Sequence, residues 1–429
     1  MESKIVKFEK VLNLFNGYAF KSTDAIESSN TQLIRMGNLY QNKLDLERKP
    51  IFYPDSYAQK YSKYVLQEGD LIISLTGTSE KEDYGFIVKI SKTNKKLLLN
   101  QRVARIDIIL ADVNHDYILY FLRSRIFLTP LYLTAKGMKQ ANLSTNAIKQ
   151  LNVVIPPPEE QRKIAWVLSL VQDAIAQQEQ LFTLTTELKT ALMQKLFTEG
   201  TCDEPQKMTE IGLIPESWDV QKLGQVVKLK SGGTPRREKL EYWDNGSIPW
   251  VKTTEINYSL IQDIEEYITQ KGLDNSSANI FPKGTLLMAM YGQGVTRGRV
   301  GILDIDAATN QACVAITPDS ENEISSKFLY YYFTYHYENL RQLGHGANQS
   351  NLSATILKGF TIAFPKPELQ IEISDILEKI DIKLEQHQQK INCLKSLFQT
   401  LLHQLMTAKT RVDDLNLSVL NLELQGGDK

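Results

Sequence analysis

The chain has 429 residues, of which 42% are hydrophobic and 9% aromatic, enough apolar material for packed cores, so a wholly disordered protein is excluded. Its 49 Lys and Arg against 50 Asp and Glu leave a net charge of −1, and the bulk charge therefore carries no sign of a polyanion binder. Three widely spaced cysteines (Cys202, Cys313, Cys393) make no disulfide framework, residues 1–10 lack the apolar stretch of a secretory signal, and no apolar run is long enough to span a membrane, so a cytoplasmic protein is expected.

In chain order, residues 1–158 read as an α+β globular domain. Short β-rich runs at 70–75, 85–90 and 102–110 alternate with turn residues and a few helical stretches. The domain closes on an extended segment ending in Pro156-Pro157-Pro158, and proline fits the first turn of a helix. Residues 159–198 predict one long helix with a seam at Ile164, Leu168, Val171, Ile175 and Gln178, continuing through Phe182, Thr185 and Lys189 to Leu192 and Leu196. The later half of that seam is poor, and Leu181, Leu184 and Leu188 offer a competing stripe. Residues 199–209 are polar and helix-breaking, a linker. A second α+β domain is expected over 210–367, with β-runs at 285–290, 299–304 and 312–317. A second long helix follows over 368–409, with the seam Ile373, Leu377, Ile380, Leu384, His387 and Ile391, and the tail 410–429 is expected to be mobile in part. Each seam has a polar residue at the same step, Gln178 and His387, a device that fixes register at some cost in stability.

The two halves repeat one another. Asn100-Gln101 recurs as Asn310-Gln311 and Leu119-Tyr120 as Leu329-Tyr330, both 210 residues on. Asn142-Leu143-Ser144 recurs as Asn351-Leu352-Ser353, and the Pro-Glu-x-Gln of Pro158 to Gln161 as that of Pro367 to Gln370, both 209 on. Several matches in order at a nearly constant offset indicate a tandem duplication of a unit of about 210 residues. Helices of about 40 residues are too long for the face of one small domain, so the two are expected to pair with each other.

Catalytic signatures are missing from the sequence: it has no GxxxxGK[ST], no HExxH, no zinc spacing and no tetrapeptide of the adenine-methyltransferase kind. Charge divides unevenly. Residues 1–158 carry 22 Lys/Arg against 15 Asp/Glu, a net of +7, whereas residues 210–367 carry 15 against 17, a net of −2. The first domain is basic, as a phosphate-contacting surface requires. The second gathers its cations beside glycines, in Gly232-Gly233-Thr234-Pro235-Arg236-Arg237 and around Arg297-Gly298-Arg299. The aromatic run Tyr330-Tyr331-Tyr332-Phe333 lies in a helical pattern and reads as core.

These motifs resemble the specificity subunit of type I restriction–modification systems over nearly the whole chain. The specific matches are Ile211-Gly212-Leu213-Ile214-Pro215-Glu216-Ser217-Trp218, Ser231-Gly232-Gly233-Thr234-Pro235 with Tyr242-Trp243 and Ile248-Pro249-Trp250-Val251, and the proline segments leading into each helix. The first copy departs, with Phe15-Asn16-Gly17-Tyr18 and Arg35-Met36-Gly37-Asn38 in the corresponding places. The resemblance implies a non-catalytic subunit with two target-recognition domains, each reading half of a bipartite, asymmetric site on double-stranded DNA. The long helices would pair antiparallel and set the spacing. Two methyltransferase subunits and two motor-nuclease subunits would join it and would bind S-adenosylmethionine, ATP and magnesium, leaving no cofactor or metal in this chain. DNA contacts are expected from Arg35, Asn38, Thr76, Lys136, Lys139 and Gln140 in the first domain. In the second they are expected from Thr234, Lys252, Thr253, Tyr291, Arg297, Arg299, Asn348 and Gln349. Three alternatives stay open at this point: a coiled-coil scaffold that binds protein, a stand-alone enzyme, and the specificity subunit of a related system with a fused methylase-nuclease.

Overall fold

A computed structural model of the chain describes residues 4–134, 140–201, 204–292, 295–319, 324–343 and 351–415; the tail beyond 415 lies outside the described residues. The chain divides into two compact units, Met1–Gln178 with Lys390–Lys429, and Glu179–Gln389.

In the first unit the strand Lys4–Lys7 pairs antiparallel with Asn152–Ile155, tying the start of the domain to its end. Between them lie two four-stranded sheets. One is antiparallel, in the order Leu12–Asn16, Val103–Ile108, Leu71–Ser74, Ile87–Lys89. The other runs Phe52–Tyr53, Thr31–Ile34, Lys96–Leu99, Val65–Leu66, and its two central strands are parallel. The second unit repeats this plan. Asp219–Lys222 pairs with Thr361–Phe364, and one sheet runs Val227–Ser231, Cys313–Pro318, Leu286–Ala289, Val300–Leu303, with Leu260–Ile261 added at its edge. The other runs Tyr267–Ile268, Ile248–Val251, Ala307–Thr309, Ile280–Phe281, again with a parallel central pair. The duplication read from the sequence is thus a duplication of strand order and direction.

The repeated dipeptides and tripeptides explain themselves as local hydrogen-bonding devices. Asn100 Oδ1 accepts from the Arg102 N–H at 3.1 Å, and Asn310 Oδ1 from the Ala312 N–H at 3.0 Å, each closing the same turn after a parallel strand. Ser144 accepts from the Ala147 N–H and Ser353 from the Ile356 N–H, and each thereby caps a short helix.

The long helices span Pro158–Thr198 and Pro367–Met406. Each starts on proline, whose missing N–H costs nothing in the first turn. The glutamine three residues on is buried and acts as a clamp. Gln161 donates to the carbonyls of Pro156 (2.8 Å) and Asp112 (3.2 Å) and accepts from the Asn114 N–H (2.8 Å). Gln370 donates to the Pro365 carbonyl and accepts from the Ser325 N–H, both at 2.8 Å.

In the first unit Ile164, Ala165, Val167 and Leu168, at the start of the first long helix, share a core with Leu402, Leu405 and Met406 at the end of the second. In the second unit Met193, Leu196 and Phe197, at the end of the first helix, share a core with Ile373 and Leu377 at the start of the second. That ordering is antiparallel. The seam residues Ile164, Leu168, Val171, Ile373, Leu377, His387 and Ile391 are buried, while Ile175, Gln178, Ile380 and Leu384 are half-buried. Leu181, Leu184 and Leu188 face out, 42–52% exposed, whereas Phe182, Thr185 and Lys189 on the expected seam are half-buried. Lys189 pairs with Asp381 at 2.5 Å, and Asp381 also accepts from the Tyr331 hydroxyl at 2.9 Å.

The run Tyr330 to Phe333 is buried in the helix Ser326–Tyr335, as a core reading requires. The stretch read as a linker holds a strand of its own, because Gln206–Thr209 pairs antiparallel with Gly212–Pro215.

Candidate nucleic-acid interface

In each domain the loops that leave the carboxyl ends of the parallel strand pair converge. In the first, Ile34 leads into Arg35-Met36-Gly37 and Leu99 leads into Asn100-Gln101-Arg102. The Asn100 N–H donates to the Ile34 carbonyl at 3.2 Å, so the two exits are tied together. Glycine is required beside them. A Cβ on Gly17 would lie 2.2 Å from the Asn100 carbonyl oxygen, and one on Gly232 would lie 2.1 Å from that of Thr309. The second domain has the same joint, with the Asn310 N–H donating to the Val251 carbonyl at 3.0 Å.

On the first of these joints sits a cleft of about 470 Å³ lined by Arg35, Met36, Gly37, Arg48, Lys49, Asn100, Gln101 and Arg102. Four of these are cations and none is a carboxylate. Arg35 Nη2 donates to the Lys49 carbonyl at 2.6 Å, and its Nε is buried with no hydrogen-bond partner among the described residues. The Arg48 guanidinium lies 4.7 Å from the centre of the Tyr40 ring. Beside the cleft the Tyr18 N–H donates to the Leu99 carbonyl, and the 38%-exposed Tyr18 ring packs 4.9 Å from Tyr61 and 5.3 Å from Tyr64. Lys60 and Lys63 lie over the Tyr61 and Tyr64 rings, and such interleaving of rings and cations suits nucleic acid.

The residues expected to contact DNA fall in several places. Arg35, Asn38 and Thr76 gather around one turn. Asn38, however, is buried and holds the loop, accepting from the Arg35 N–H and donating to the carbonyls of Asp45 and Arg48. Thr76 is also buried and donates to Met36 Sδ at 2.8 Å. Gln140 lies in the strand Gln140–Asn142, which pairs with Thr76–Thr78. Lys136, Lys139, Asn348 and Gln349 lie outside the described residues.

In the second domain the Thr234 hydroxyl donates to Gln311 Oε1. Lys252 is held by Glu265 at 2.8 Å and Glu266 at 3.1 Å, and those two bonds raise its pKa above the ordinary lysine value. Thr253 opens the adjoining turn, Thr253–Glu255, and Tyr291 is 40% exposed. Arg297 is buried and donates to the Arg341 carbonyl at 2.9 Å, while Arg299 donates to Asn257 Oδ1 at 2.6 Å. Arg237 lies 3.7 Å from the Trp243 ring centre and pairs with Glu266 at 2.5 Å. The contrast between +7 and −2 therefore has a local form. Among the described residues the cations of the first domain's cleft make no ion pair with a carboxylate, whereas the second domain pairs Lys252 and Arg237 with acids.

Arg48, Lys49, Gln101 and Arg102 were not among the residues expected from sequence. Gln101 alone has a signal in the sequence, the repeat of Asn-Gln at 100–101 and 310–311. Among the described residues no group of three His, Cys, Asp or Glu side chains is placed to hold a metal ion, and no helix is long and apolar enough to cross a membrane.

The family model for the type I restriction modification DNA specificity domain matches residues 1–183 and again 215–396, once for each copy. The chain belongs to that family. Among curated members, the Type I restriction enzyme MjaVIII specificity subunit of Methanocaldococcus jannaschii is 25% identical over 376 residues, covering 84% of this chain and 85% of that one. The MjaIX specificity subunit of the same organism is 32% identical over 196 residues, and that match spans 44% of each protein. The crystal structure of a type I restriction–modification S subunit from M. genitalium covers 94% of this chain with a TM-score of 0.60 at 16% identity, a likeness of fold. Family membership and the doubled domain plan agree: this specificity chain is two recognition modules in tandem.

Proposed function

We propose that this chain is the non-catalytic DNA-reading subunit of a type I restriction–modification enzyme, and that each domain reads one half of a bipartite, asymmetric site on double-stranded DNA. The observation that carries the reading is the cleft at Arg35, Arg48, Lys49 and Arg102, four cations at the ends of a parallel strand pair whose whole scaffold recurs in the second domain. Phosphates supply most of the affinity for such a surface, and base edges supply the choice of sequence. In the first domain Arg35 is the reader and Asn38 and Thr76 hold its turn. In the second, Thr234, Lys252, Thr253, Tyr291 and Arg299 remain the proposed contacts, joined by Arg237.

The long helices set the gap between half-sites. Two methyltransferase and two motor-nuclease subunits dock on the chain in the cytoplasm and bring the S-adenosylmethionine, ATP and magnesium that the chemistry uses. The test is to express the chain with and without its companion methyltransferase and to map modified adenines across the host genome. A split motif that requires both proteins is the expected outcome. Methylation or cleavage by the purified single chain would sink the reading.

A further inference from the structure

The two domains have diverged in sequence, yet a few residues recur at matching positions. Most of these have a structural task. Asn100 and Asn310 close turns, Gly17 and Gly232 permit close approach, and Ser144 and Ser353 cap helices. Gln101 and Gln311 are different. Both are exposed at the tip of the same turn, one residue past a parallel strand's tied exit. Backbone bonds fix that tip in the first domain, where the Gln101 N–H donates to the Tyr18 carbonyl at 3.1 Å. The Gln101 side chain has no hydrogen bond among those found within the described residues and faces the cation-lined cleft. The Gln311 side chain accepts from the Thr234 hydroxyl through Oε1, which orients its amide and leaves its NH₂ to donate elsewhere. A side chain kept by both copies on the same turn, with its NH₂ left without a hydrogen bond among the described residues in each, suits a partner common to both half-sites.

We infer that Gln101 and Gln311 are equivalent base-reading contacts, each taking the major-groove edge of an adenine in its own half of the DNA site. The choice of adenine follows from chemistry. A neutral amide offers one donor and one acceptor side by side, matching adenine N7 and N6, whereas a phosphate presents only acceptors. Arg48, Lys49 and Arg102 line the same cleft and are the cations suited to phosphate there.

This inference rests on the DNA-reading function, and its test separates the two. The chain is expressed with its companion methyltransferase as wild type, Gln101→Ala and Gln311→Ala, and the modified motif is mapped for each. Purified complexes are then titrated with labelled duplexes carrying the motif, with 7-deazaadenine replacing single adenines. Each variant is expected to relax one A·T position, in opposite halves of the motif. Loss of the contact weakens binding roughly 5- to 150-fold. Substitution of 7-deazaadenine at that position weakens the wild type and leaves the matching variant unaffected. Thermal midpoints of both variants stay at the wild-type value, because neither side chain is buried; Asn100→Ala, which opens the turn, lowers it.

A wild type that gives no split motif overturns the underlying reading. A wild type that reads its motif while both variants keep it unchanged overturns this inference alone. Relaxation at a G·C position, or a uniform loss on all sequences, overturns the adenine assignment.

Discussion

At the scale of single residues, charge and burial make separate predictions. Arg102 is exposed, lines the cleft and makes no ion pair among the described residues, so it is free to meet a phosphate. Arg102→Ala is expected to weaken binding by the assembled complex about equally on all sequences. It should also reduce the slope of log affinity against log salt by about 1, which a salt titration reads directly. His336 tests the second unit. It sits among aromatic rings, 4.3 Å from Tyr332 and 4.8 Å from Tyr335, and burial pushes its pKa down to about 4. Between the ordinary histidine value of about 6.5 and that figure, the unfolded chain binds a proton that the folded unit refuses. The unit is therefore unaffected at neutral pH and loses about 2 kcal/mol between pH 7 and pH 5. His336→Phe should flatten that dependence in urea melts at the two pH values. Residues of this kind were only partly legible in the sequence. Arg35 lies in a motif position, and the structure places it at the cleft. Arg48, Lys49 and Arg102 stand in no motif, and the cleft brings together loops at 35–37, 48–49 and 100–102 that spacing alone does not join. Asn38 holds a loop in the structure, a task the letters do not reveal, because an amide that holds a loop and an amide that reads a base have the same one-letter code.

At the scale of elements, the helix entries are the sharpest feature. Gln161 and Gln370 each satisfy backbone groups at a buried junction where a long helix meets its domain. Their replacement by Ala leaves those groups unpaired and is expected to cost about 2–3 kcal/mol, read as a lowered urea midpoint, in the first unit for Gln161→Ala and in the second for Gln370→Ala. The sequence announced these glutamines as repeated letters without their task, since their partners are main-chain carbonyls and amides, which leave no trace in residue spacing. The seams were more legible, because a 3.5-residue period is itself the geometry of the contact. The exception was instructive. In the second half of the first helix the apolar stripe of Leu181, Leu184 and Leu188 faces outward, and the polar line through Lys189 is the inner one. A lysine on an inner line is tolerated because Asp381 neutralises it, and Asp381 lies 192 residues away.

For the molecule as a whole, the proposed spacing role makes a geometric prediction. Removing seven residues from each long helix preserves the heptad phase and shortens each by about 10 Å, or about three base pairs. The modified motif of such a variant should keep both half-sites and lose about three positions from its gap; an unchanged gap would remove the helices from that role. The overall plan was the most legible level of all, because an offset of 209 to 210 residues persists in the letters even where the two domains have diverged.

The division of the chain into units also bears on how the protein is made. The core that holds Phe8, Leu71 and Ile164 also holds Leu402, Leu405, Met406 and Val412, so this domain is completed by residues that leave the ribosome long after its own strands and after the whole second unit. At about 5–20 residues per second, it waits on the order of 10–50 s with part of its apolar surface open. During that interval the nascent chain is a natural client for holding chaperones. Premature termination after residue 389 would leave that surface open permanently, whereas the second unit, contiguous from Glu179 to Gln389, would have its whole sequence in hand.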